Sequence, residues 1–450
     1  MSNSERRLLS GWGRTAATSA TVVSVMPGAT ATMVVADLLA TSGSRGVIAR
    51  GLGRSYGDAA QNAGGAVLDM TALDGLAIDP TSGTAVVGAG TSLDSVMRAC
   101  VPLGWWVPVT PGTRQVTVGG AISGDIHGKN HHVDGSFGAH VKWLSLALPD
   151  GSVRRLAPGD DLFHATTGGM GLTGVILEAE LALTPISTAL VNVDTDRHGD
   201  LDSLMAAMVE GDDRFRYSVA WVDAGSRGTL GRGVLTRGDH AASTDVPVRQ
   251  RGLAFTPRER VGVPPLVPRS LLSSASITAF NEAWFRRAPE RRRGELQQLG
   301  TFFHPLDGVR DWNLLYGPRG FVQYQFVVPN SAAYVVQTAL ERLRAIGATS
   351  FLSVLKRFGA QGPGHLSFPM PGWTLALDLP AAVDGLAPLL DSLDALVASE
   401  GGRVYLAKDS RMTPAMMESM YPRLEEFRAL RASIDPHTHL NSDLARRLHL

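Results

Sequence analysis

A chain of 450 residues exceeds what one hydrophobic core usually organises, so its length predicts two domains. Lysine plus arginine and aspartate plus glutamate each total 42, a balance that gives no general attraction to nucleic acid. Cys100 is the only cysteine, which excludes a disulfide framework and a cysteine-based zinc site.

The N-terminal segment does not have the pattern of a cleaved signal peptide. Arg6, Arg7 and Arg14 are present, but Gly11, Trp12 and Gly13 stand where a continuous apolar core is required. No stretch approaches the roughly 18–20 apolar residues that a membrane-spanning helix needs. We therefore expect a protein that is soluble or at most peripheral at a membrane.

Short strands and helices alternate through the first 185 residues. The spacing of apolar residues predicts helices at Thr32–Thr41 and Ser92–Cys100. The predicted strands are Gly46–Arg50, Ala66–Met70, Thr84–Gly88, Val175–Leu183 and a hairpin that joins Val141–Leu148 to Ser152–Leu156. Pro185 is the predicted boundary of this part, because glycine becomes sparser beyond it.

Longer segments follow Pro185. The predicted strands are Phe321–Val328, Trp373–Leu379 and Val404–Lys408, and the predicted helices are Ala332–Ile346, Val383–Glu400 and Thr413–Ala432. This alternation predicts an α+β fold of two domains, with a sheet that helices cover. Residues 1–187 and 403–450 are predicted to form one domain, and residues 188–402 the domain inserted between them.

The segment Thr244–Ser270 differs from the rest of the chain. It holds five prolines and five arginines, and prolines at this density prevent a regular element of any length. Long loops are either functional or disordered. A mobile surface loop and a lid or membrane-contact loop are the two interpretations of this composition.

Three glycine-rich loops stand out in the first domain: Gly51–Gly57, Thr110–Gly128 and Gly168–Gly174. The first does not fit the dinucleotide fingerprint, because its third glycine comes one position late and no helix follows. The segment Gly124–Lys129 is not a P-loop, because its spacing is wrong and Asn130 follows the lysine. Glycine lets successive backbone N–H groups form a concave anion site, so three such loops predict a large phosphate-bearing cofactor.

The order of these loops, followed by a strand closed by Thr184 and Pro185, resembles the FAD-binding domain of the vanillyl-alcohol-oxidase-type flavoenzymes. Later motifs resemble one branch of that family, the polyprenylphosphoryl-ribose 2-oxidases. These motifs are His304–Asp307, Gly320–Gln325, Leu355–Gly359, Leu366–Pro369, Gly372-Trp373 and Ala407–Arg411. The resemblance covers nearly the whole chain.

The resemblance implies non-covalently held FAD, with residues 1–187 and 403–450 as the FAD-binding domain and residues 188–402 as the substrate domain. It implies oxidation of the ribose 2-hydroxyl of decaprenylphosphoryl-β-D-ribose to a ketone. A separate NADH-dependent reductase would complete an epimerisation that yields the arabinose donor for cell-wall arabinan. It further implies a protein of the cell envelope with peripheral contact to the plasma membrane.

The site residues that the resemblance implies fall into three groups. The cofactor-binding set is Ala49, Arg50, Gly51, Leu52, Gly53, Arg54, Ser55, Tyr56, Gly57, Asp58, Ala59, Gly112, Thr117, Val118, Gly119, Gly120, Gly124, Asp125, Ile126, His127, Val175 and Tyr405. The substrate-binding set is Lys129, Trp221, Gln323, Gln325, Lys356, Phe358, Thr374 and Ala376. The catalytic set is Lys408, His127 and Tyr56.

These residue types suit the implied chemistry. Oxidation of a secondary alcohol by hydride transfer needs a group that accepts the hydroxyl proton, and a partly desolvated lysine can have its pKa lowered enough to do so. Lys408, at the end of its predicted strand, is the candidate, and a solvated lysine is the alternative. Lys356 and Arg357 suit a phosphate on the substrate, or form a solvated face.

His127 and His131 have the spacing of a metal-binding pair, but Gly124 and Gly128 argue against a helix that presents both imidazoles on one face, so no metal is expected. Two positions depart from the family pattern. Phe303 stands where relatives often carry tyrosine, and Ala376 where several carry a cysteine beside the flavin. Reagents that need that cysteine are therefore not expected to modify this chain.

Two other functions are consistent with parts of the sequence. A sugar-lactone or alditol oxidase of the same superfamily would act on a soluble polyol and would need neither Lys356-Arg357 nor the Thr244–Ser270 loop. A flavin-free binding or scaffold protein would be colourless when purified, whereas a flavoprotein is yellow.

Overall fold

The computed structural model describes residues 4–226, 228–257, 261–264 and 272–450. Its strands are β1 Ser4–Ser10, β2 Ala17–Ser24, β3 Val47–Arg50, β4 Ala66–Asp69, β5 Leu76–Asp79, β6 Thr84–Gly88, β7 Trp105–Trp106, β8 Val141–Ala147, β9 Val153–Leu156, β10 Val175–Ala182, β11 Thr184–Pro185, β12 Leu190–His198, β13 Tyr217–Val222, β14 Gly233–His240, β15 Val261–Gly262, β16 Arg291–Gln298, β17 Val309–Arg310, β18 Phe321–Val328, β19 Ser353–Phe358, β20 Gly372–Pro380 and β21 Arg403–Val404. Its α-helices are α1 Ala29–Thr41, α2 Leu93–Cys100, α3 Val118–Ser123, α4 His131–Asp134, α5 Asp161–Thr166, α6 Leu201–Gly211, α7 Ser274–Arg287, α8 Leu299–Phe303, α9 Tyr334–Ala345, α10 Leu386–Ser399, α11 Pro414–Met420, α12 Leu424–Ile434 and α13 Asp443–Leu448.

Two sheets are built from the first 182 residues. One has the order β1-β2-β4-β3, with β2, β4 and β3 parallel, and the other has the antiparallel order β5-β6-β10-β8-β9. The glycine-rich loop after β3 and the short helix α3 lie beside these sheets, and α3 packs against β6 and β10. The first part of the chain therefore presents its glycine loops at one edge of two packed sheets.

An eight-stranded antiparallel sheet forms the second part, with the order β16-β12-β14-β13-β19-β20-β18-β21. Successive side chains on a strand point to opposite faces of the sheet. On β18, Tyr324 and Phe326 point into the hydrophobic core that α9 and α10 cover. Gln323 and Gln325 on the same strand line a cavity on the opposite face. The sheet thus has one face covered by helices and one face that borders the functional site.

The structure confirms most of the predicted elements and the α+β class. The predicted helix Ser92–Cys100 is α2, which begins after Ser92 because the Ser92 hydroxyl accepts a hydrogen bond from the Ser95 amide. Two predictions were wrong. The strand at Val404–Lys408 ends at Val404, and the following residues form a turn that places Lys408. The helix at Thr413–Ala432 is two helices, because Pro422 cannot continue α11.

The C-terminal segment contacts both parts of the molecule. β21 pairs with β18 at the edge of the eight-stranded sheet. Beyond it, the Asn441 amide donates to the carbonyl of Val47, the first residue of β3. The Asp443 carboxylate accepts from the Ala63 amide at 2.9 Å. The segment therefore ties the first sheet to the turn that carries Lys408.

Of the predicted Thr244–Ser270 loop, residues 258–260 and 265–270 lie outside the described residues. The described part contains two short 3₁₀ turns and the two-residue strand β15, which pairs with β17. No described helix is long and apolar enough to cross a membrane.

Candidate active site

A cavity of about 1180 Å³ lies between the glycine loops and the open face of the eight-stranded sheet. Pockets for drug-sized ligands span about 300–1,000 Å³. The cavity therefore has room for a larger guest, or for two molecules side by side.

Glycine is required at the cavity wall for close packing. A Cβ atom on Gly51 would lie 2.1 Å from Thr117 Oγ1, and one on Gly119 would lie 3.0 Å from the Cβ of Ala89. A Cβ on Gly112 meets no atom within 4 Å. Since Gly112 lines the cavity, any side chain there would occupy space that a ligand can use.

The first glycine loop is held by two arginines. Arg50 donates to the carbonyls of Ala60 at 2.9 Å and Ser10 at 2.8 Å, and Arg54 stacks over the Trp12 ring at 3.8 Å. Burial lowers the pKa of both guanidinium groups. The Nε atom of Arg54 is buried without a hydrogen-bond partner among the described residues.

His127 is held in one tautomer by the sheet. The Gln325 amide nitrogen lies 2.9 Å from His127 Nε2 and 3.2 Å from Thr374 Oγ1. The Thr374 hydroxyl donates to the Phe326 carbonyl, so it accepts from Gln325, and the amide nitrogen must face both partners. His127 Nε2 is then an acceptor, and its proton lies on Nδ1, which has no partner among the described residues. Burial keeps the His127 pKa well below its usual value, so the ring is neutral.

Three lysines converge on the cavity. Lys129 Nζ donates to the Phe303 carbonyl at 3.0 Å, and Lys356 Nζ lies 3.5 Å from the Gly128 carbonyl. Burial lowers the pKa of Lys129 to about 8 and those of Lys356 and Lys408 to about 7. Each lysine is only half-buried by surface area, but its exposed part faces the cavity rather than bulk water. Mutual repulsion lowers the Lys356 pKa further.

Asp378 is a functional candidate that the sequence analysis missed. It is fully buried on β20, and its carboxylate accepts a hydrogen bond from Gln323 on the paired strand β18. Burial raises its pKa to about 7, and its charge raises the pKa of Lys408. A single aspartate inside the apolar run Trp373–Leu379 was the signal that could have identified it.

Most of the predicted site residues line the one cavity, including Tyr56, His127, Lys129, Trp221, Gln323, Gln325, Lys356, Ala376, Tyr405 and Lys408, and Ala49–Tyr56, Ala59, Gly112, Thr117, Gly119, Gly120, Gly124 and Ile126. Gly57, Asp58, Val118, Asp125, Val175, Phe358 and Thr374 lie behind its wall. Val118 and Val175 are core residues, and Asp125 binds Ser136. Phe358 and Thr374 contact the cavity through His127 and Gln325.

The histidines considered as metal ligands, and the adjacent His132, have other partners. His131 Nδ1 lies 3.2 Å from the Gly359 amide, and His132 Nε2 lies 2.9 Å from the Phe215 carbonyl. Among the described residues no three histidine, cysteine or acidic side chains are grouped to hold a metal ion. Phe303 is buried against Trp106 and Tyr217, so its ring contributes packing at the position where a hydroxyl is absent.

Comparison with known proteins identifies the fold of the first part and near relatives of the whole chain. Residues 23–157 match the model of the FAD-binding domain family. The chain is 45% identical to decaprenylphosphoryl-β-D-ribose oxidase of Mycolicibacterium smegmatis, over 98% of this chain and 97% of the relative. It is 25% identical to alditol oxidase of a Streptomyces species, over 89% of this chain and 90% of that protein.

FAD is the cofactor, and the residues at the cavity fit it. The glycine loops leave space where side chains would project, as at Gly112. The buried Nδ1–H of His127 and Nε–H of Arg54 lack partners among the described residues, so they can serve polar atoms of a bound molecule. The volume exceeds that of a drug-sized pocket, as a dinucleotide together with a substrate requires.

Proposed function

Because the chain belongs to the family of decaprenylphosphoryl-β-D-ribose oxidases, we propose that it oxidises the ribose 2-hydroxyl of a polyprenylphosphoryl ribose to a ketone. The enzyme is an FAD-dependent oxidoreductase. Bound FAD would supply the hydride acceptor for this reaction. The observation that carries the proposal is the convergence of three half-buried lysines on the cavity that the glycine loops also line.

Lys408 is the proposed base. Its pKa of about 7 leaves a large neutral fraction at physiological pH, and a neutral amine can accept the hydroxyl proton as the hydride leaves C2. The C2–O bond becomes the carbonyl, and the proton remains on Lys408. The negative charge of Asp378 favours the protonated amine, so Asp378 stabilises the state that proton transfer produces.

Tyr56 and His127 position the reacting groups. Tyr56 lies under the Lys408 amine with its ring 3.9 Å away, which limits where the amine can move. The neutral His127 donates from Nδ1 only, because Gln325 occupies Nε2. A fixed donor of this kind orients a polar group without competing for the substrate proton.

Lys129 and Lys356 are proposed to bind the substrate phosphate. The Lys129 side chain approaches the cavity from the loop before α4, and the Lys356 side chain approaches it from β19. Burial disfavours their protonated forms, and a phosphate bound between them would stabilise those forms. An alditol oxidase would not need these two lysines, since a soluble polyol carries no phosphate. Two lysines at this point therefore favour the phosphorylated sugar.

The wider context follows from the substrate class. We propose that a separate NADH-dependent reductase reduces the ketone, so that the pair epimerises ribose to arabinose for cell-wall arabinan. A polyprenyl substrate implies peripheral contact with the plasma membrane at the cell envelope. We also propose a division into an FAD-binding domain of residues 1–187 and 403–450 and a substrate domain of residues 188–402. The separate sheets on either side of residue 187 support the first boundary, whereas β21, at residues 403–404, pairs with β18 of the eight-stranded sheet.

Anaerobic reduction of the bound flavin tests the proposal. Purified protein, yellow from FAD, is mixed in detergent with polyprenylphosphoryl ribose, with its arabinose epimer, or with free sugar alcohols. Loss of the flavin absorbance with the lipid-linked ribose alone is the expected result. Reduction by a free polyol, and none by the lipid-linked sugar, would establish the alditol oxidase activity instead.

A further inference from the structure

Helix α7 carries two large aromatic side chains beside the opening of the active-site cavity. Phe280 and Trp284 lie one turn apart with stacked rings, at 6.2 Å between centroids and 18° between planes. Both line the cavity, yet they remain 48% and 47% exposed. A stacked aromatic pair that stays half exposed is a feature of interaction surfaces.

The buried stripe of α7 does not include this pair. Ile277 and Asn281 form the buried stripe of the helix. The Asn281 amide donates to the Asp223 carboxylate at 2.8 Å and to the Ser350 carbonyl at 3.0 Å. Phe280 and Trp284 lie on a second stripe of the same helix, and Arg287 continues it. The helix is therefore anchored on one side and presents its aromatic stripe on another.

The surroundings of this stripe are basic, although the chain as a whole is neutral. Residues 282–293 contain five arginines and two glutamates. Arg287 and Arg310 both border the cavity. In the part of the chain that the structure describes, neither forms an ion pair with a carboxylate. Their charge is therefore available to an anionic partner.

An apolar row joins the catalytic centre to this opening. Ala376, Val354, Trp221 and Val234 are successive cross-strand partners on β20, β19, β13 and β14, and all line the cavity. The row begins beside Gln325, which binds His127. Trp221 donates to the Phe351 carbonyl at 3.0 Å, and the Phe351 ring contacts Phe280. A hydrocarbon chain can follow this row from the catalytic centre to α7.

We propose that Phe280, Trp284, Arg287 and Arg310, together the α7 rim, dock the enzyme on an anionic lipid bilayer. Tryptophan favours the membrane–water interface, and arginine favours anionic headgroups. When the enzyme docks at this rim, the mouth of the cavity faces the bilayer. The isoprenoid chain of the substrate then runs along the apolar row. The inference rests on the proposed function, since a lipid-linked sugar is what requires a cavity mouth at a membrane.

Vesicle sedimentation of the full-length FAD-loaded protein, without substrate, tests the α7 rim. Binding is expected to vesicles of phosphatidylglycerol and phosphatidylcholine, to weaken with added salt, and to be far weaker with phosphatidylcholine alone. Trp284→Ala is expected to lower the affinity at least tenfold. Arg287→Gln with Arg310→Gln is expected to lower it by about fivefold for each arginine.

Matched variants away from the rim are the controls. Tyr334→Ala removes an aromatic side chain that is 51% exposed on α9, and Arg6→Gln with Arg7→Gln removes two exposed charges from β1. These are expected to bind vesicles like the wild type. FAD content and melting temperature report folding, and Trp284→Phe, which keeps an aromatic ring, provides the test if Trp284→Ala does not fold.

Three results would overturn the proposal. The first is absence of binding to the anionic vesicles, and the second is equal loss in the rim and control variants. The third is a dimer in sedimentation velocity that Trp284→Ala dissociates, because the rim would then be an interface between two copies. None of these measurements involves turnover. Flavin reduction in detergent therefore tests the proposed function separately.

Discussion

The Nζ atom of Lys408 lies 3.9 Å from the centre of the Tyr56 ring. Tyr56 belongs to the first glycine loop, and its amide donates to the Ala407 carbonyl at 2.9 Å. A backbone hydrogen bond and a side-chain contact therefore join the first glycine loop to the turn that carries the proposed base. Tyr56 and Lys408, which are 352 positions apart in the chain, are held as one unit, so the reacting groups are positioned before substrate enters.

Asp378→Asn is expected to shift the pH dependence of flavin reduction to lower pH. The rate should rise with pH as Lys408 loses its proton, since the neutral amine is the base. The charge of Asp378 raises the Lys408 pKa, so its removal lowers that pKa and moves the rising limb downward. Single-turnover reduction rates measured across the pH range give the midpoint.

The control for this variant is Asp394→Asn, which removes another buried carboxylate, one that pairs with Arg411 away from the cavity. It is expected to lower stability and leave the midpoint unchanged. A midpoint that stays in place in Asp378→Asn, or moves to higher pH, would contradict the role of Asp378.

Phosphate binding is expected to weaken as the pH rises through the range of about 7–8. Lys129 and Lys356 have pKa values of about 8 and 7, so both lose charge in this window. An anion favours their protonated forms, and binding at pH 8 should take up protons. Calorimetry of a ribose phosphate in buffers of different ionisation enthalpy measures this uptake.

Lys356→Gln should remove most of the proton uptake, whereas Lys142→Gln, which changes an exposed lysine on β8, should not. Binding that has the same affinity at pH 6.5 and pH 9 would show that these lysines do not hold the phosphate.

Local patterns in the sequence identified the elements whose burial is regular. The composition of Phe321–Val328 and Trp373–Leu379 predicted the neighbouring strands β18 and β20, because one face of each is apolar core and the other borders the cavity. β16 was missed because its sequence, RRRGELQQ, is polar on both faces, as an edge strand can be. Asp378 could be noticed in the sequence, but its partner Gln323 depends on strand register.

Ala376→Cys is expected to create a site for covalent capture that the natural chain lacks. Ala376 lines the cavity opposite Gln325, so a thiol there would be accessible to a ligand. Cys100 is fully buried, and burial raises the pKa of its thiol to about 12, so it should not react. Intact mass after treatment with a thiol-specific electrophile should show one adduct on the variant and none on the wild type.

The comparison tests whether each thiol is accessible to the reagent. An adduct on the wild-type chain would show that Cys100 is reactive and would contradict this prediction. Ala376→Ser, which has similar size and no thiol, should remain unmodified and keep its FAD.

Arg447→Gln is expected to destabilise the fold and weaken FAD retention together. Arg447 makes two hydrogen bonds to Asp58, at 2.9 and 2.7 Å, and a third to Asp409 at 2.8 Å. Asp58 follows the first glycine loop, and Asp409 follows Lys408. Removing one partner of a buried ion pair costs about 3–5 kcal/mol, because the remaining carboxylate stays desolvated. Asp409, at 4% exposure, would be that carboxylate.

Thermal unfolding with and without added FAD measures both effects. Arg428→Gln is the control, because Arg428 pairs on α12 with the exposed Glu425, and such surface pairs contribute at most about 1 kcal/mol. Arg447→Lys should recover only part of the stability, since an ammonium cannot bridge both carboxylates with the same fork of donors. If Arg447→Gln melted like Arg428→Gln and retained its flavin, the link between the C-terminal helix and the glycine loop would carry no stability.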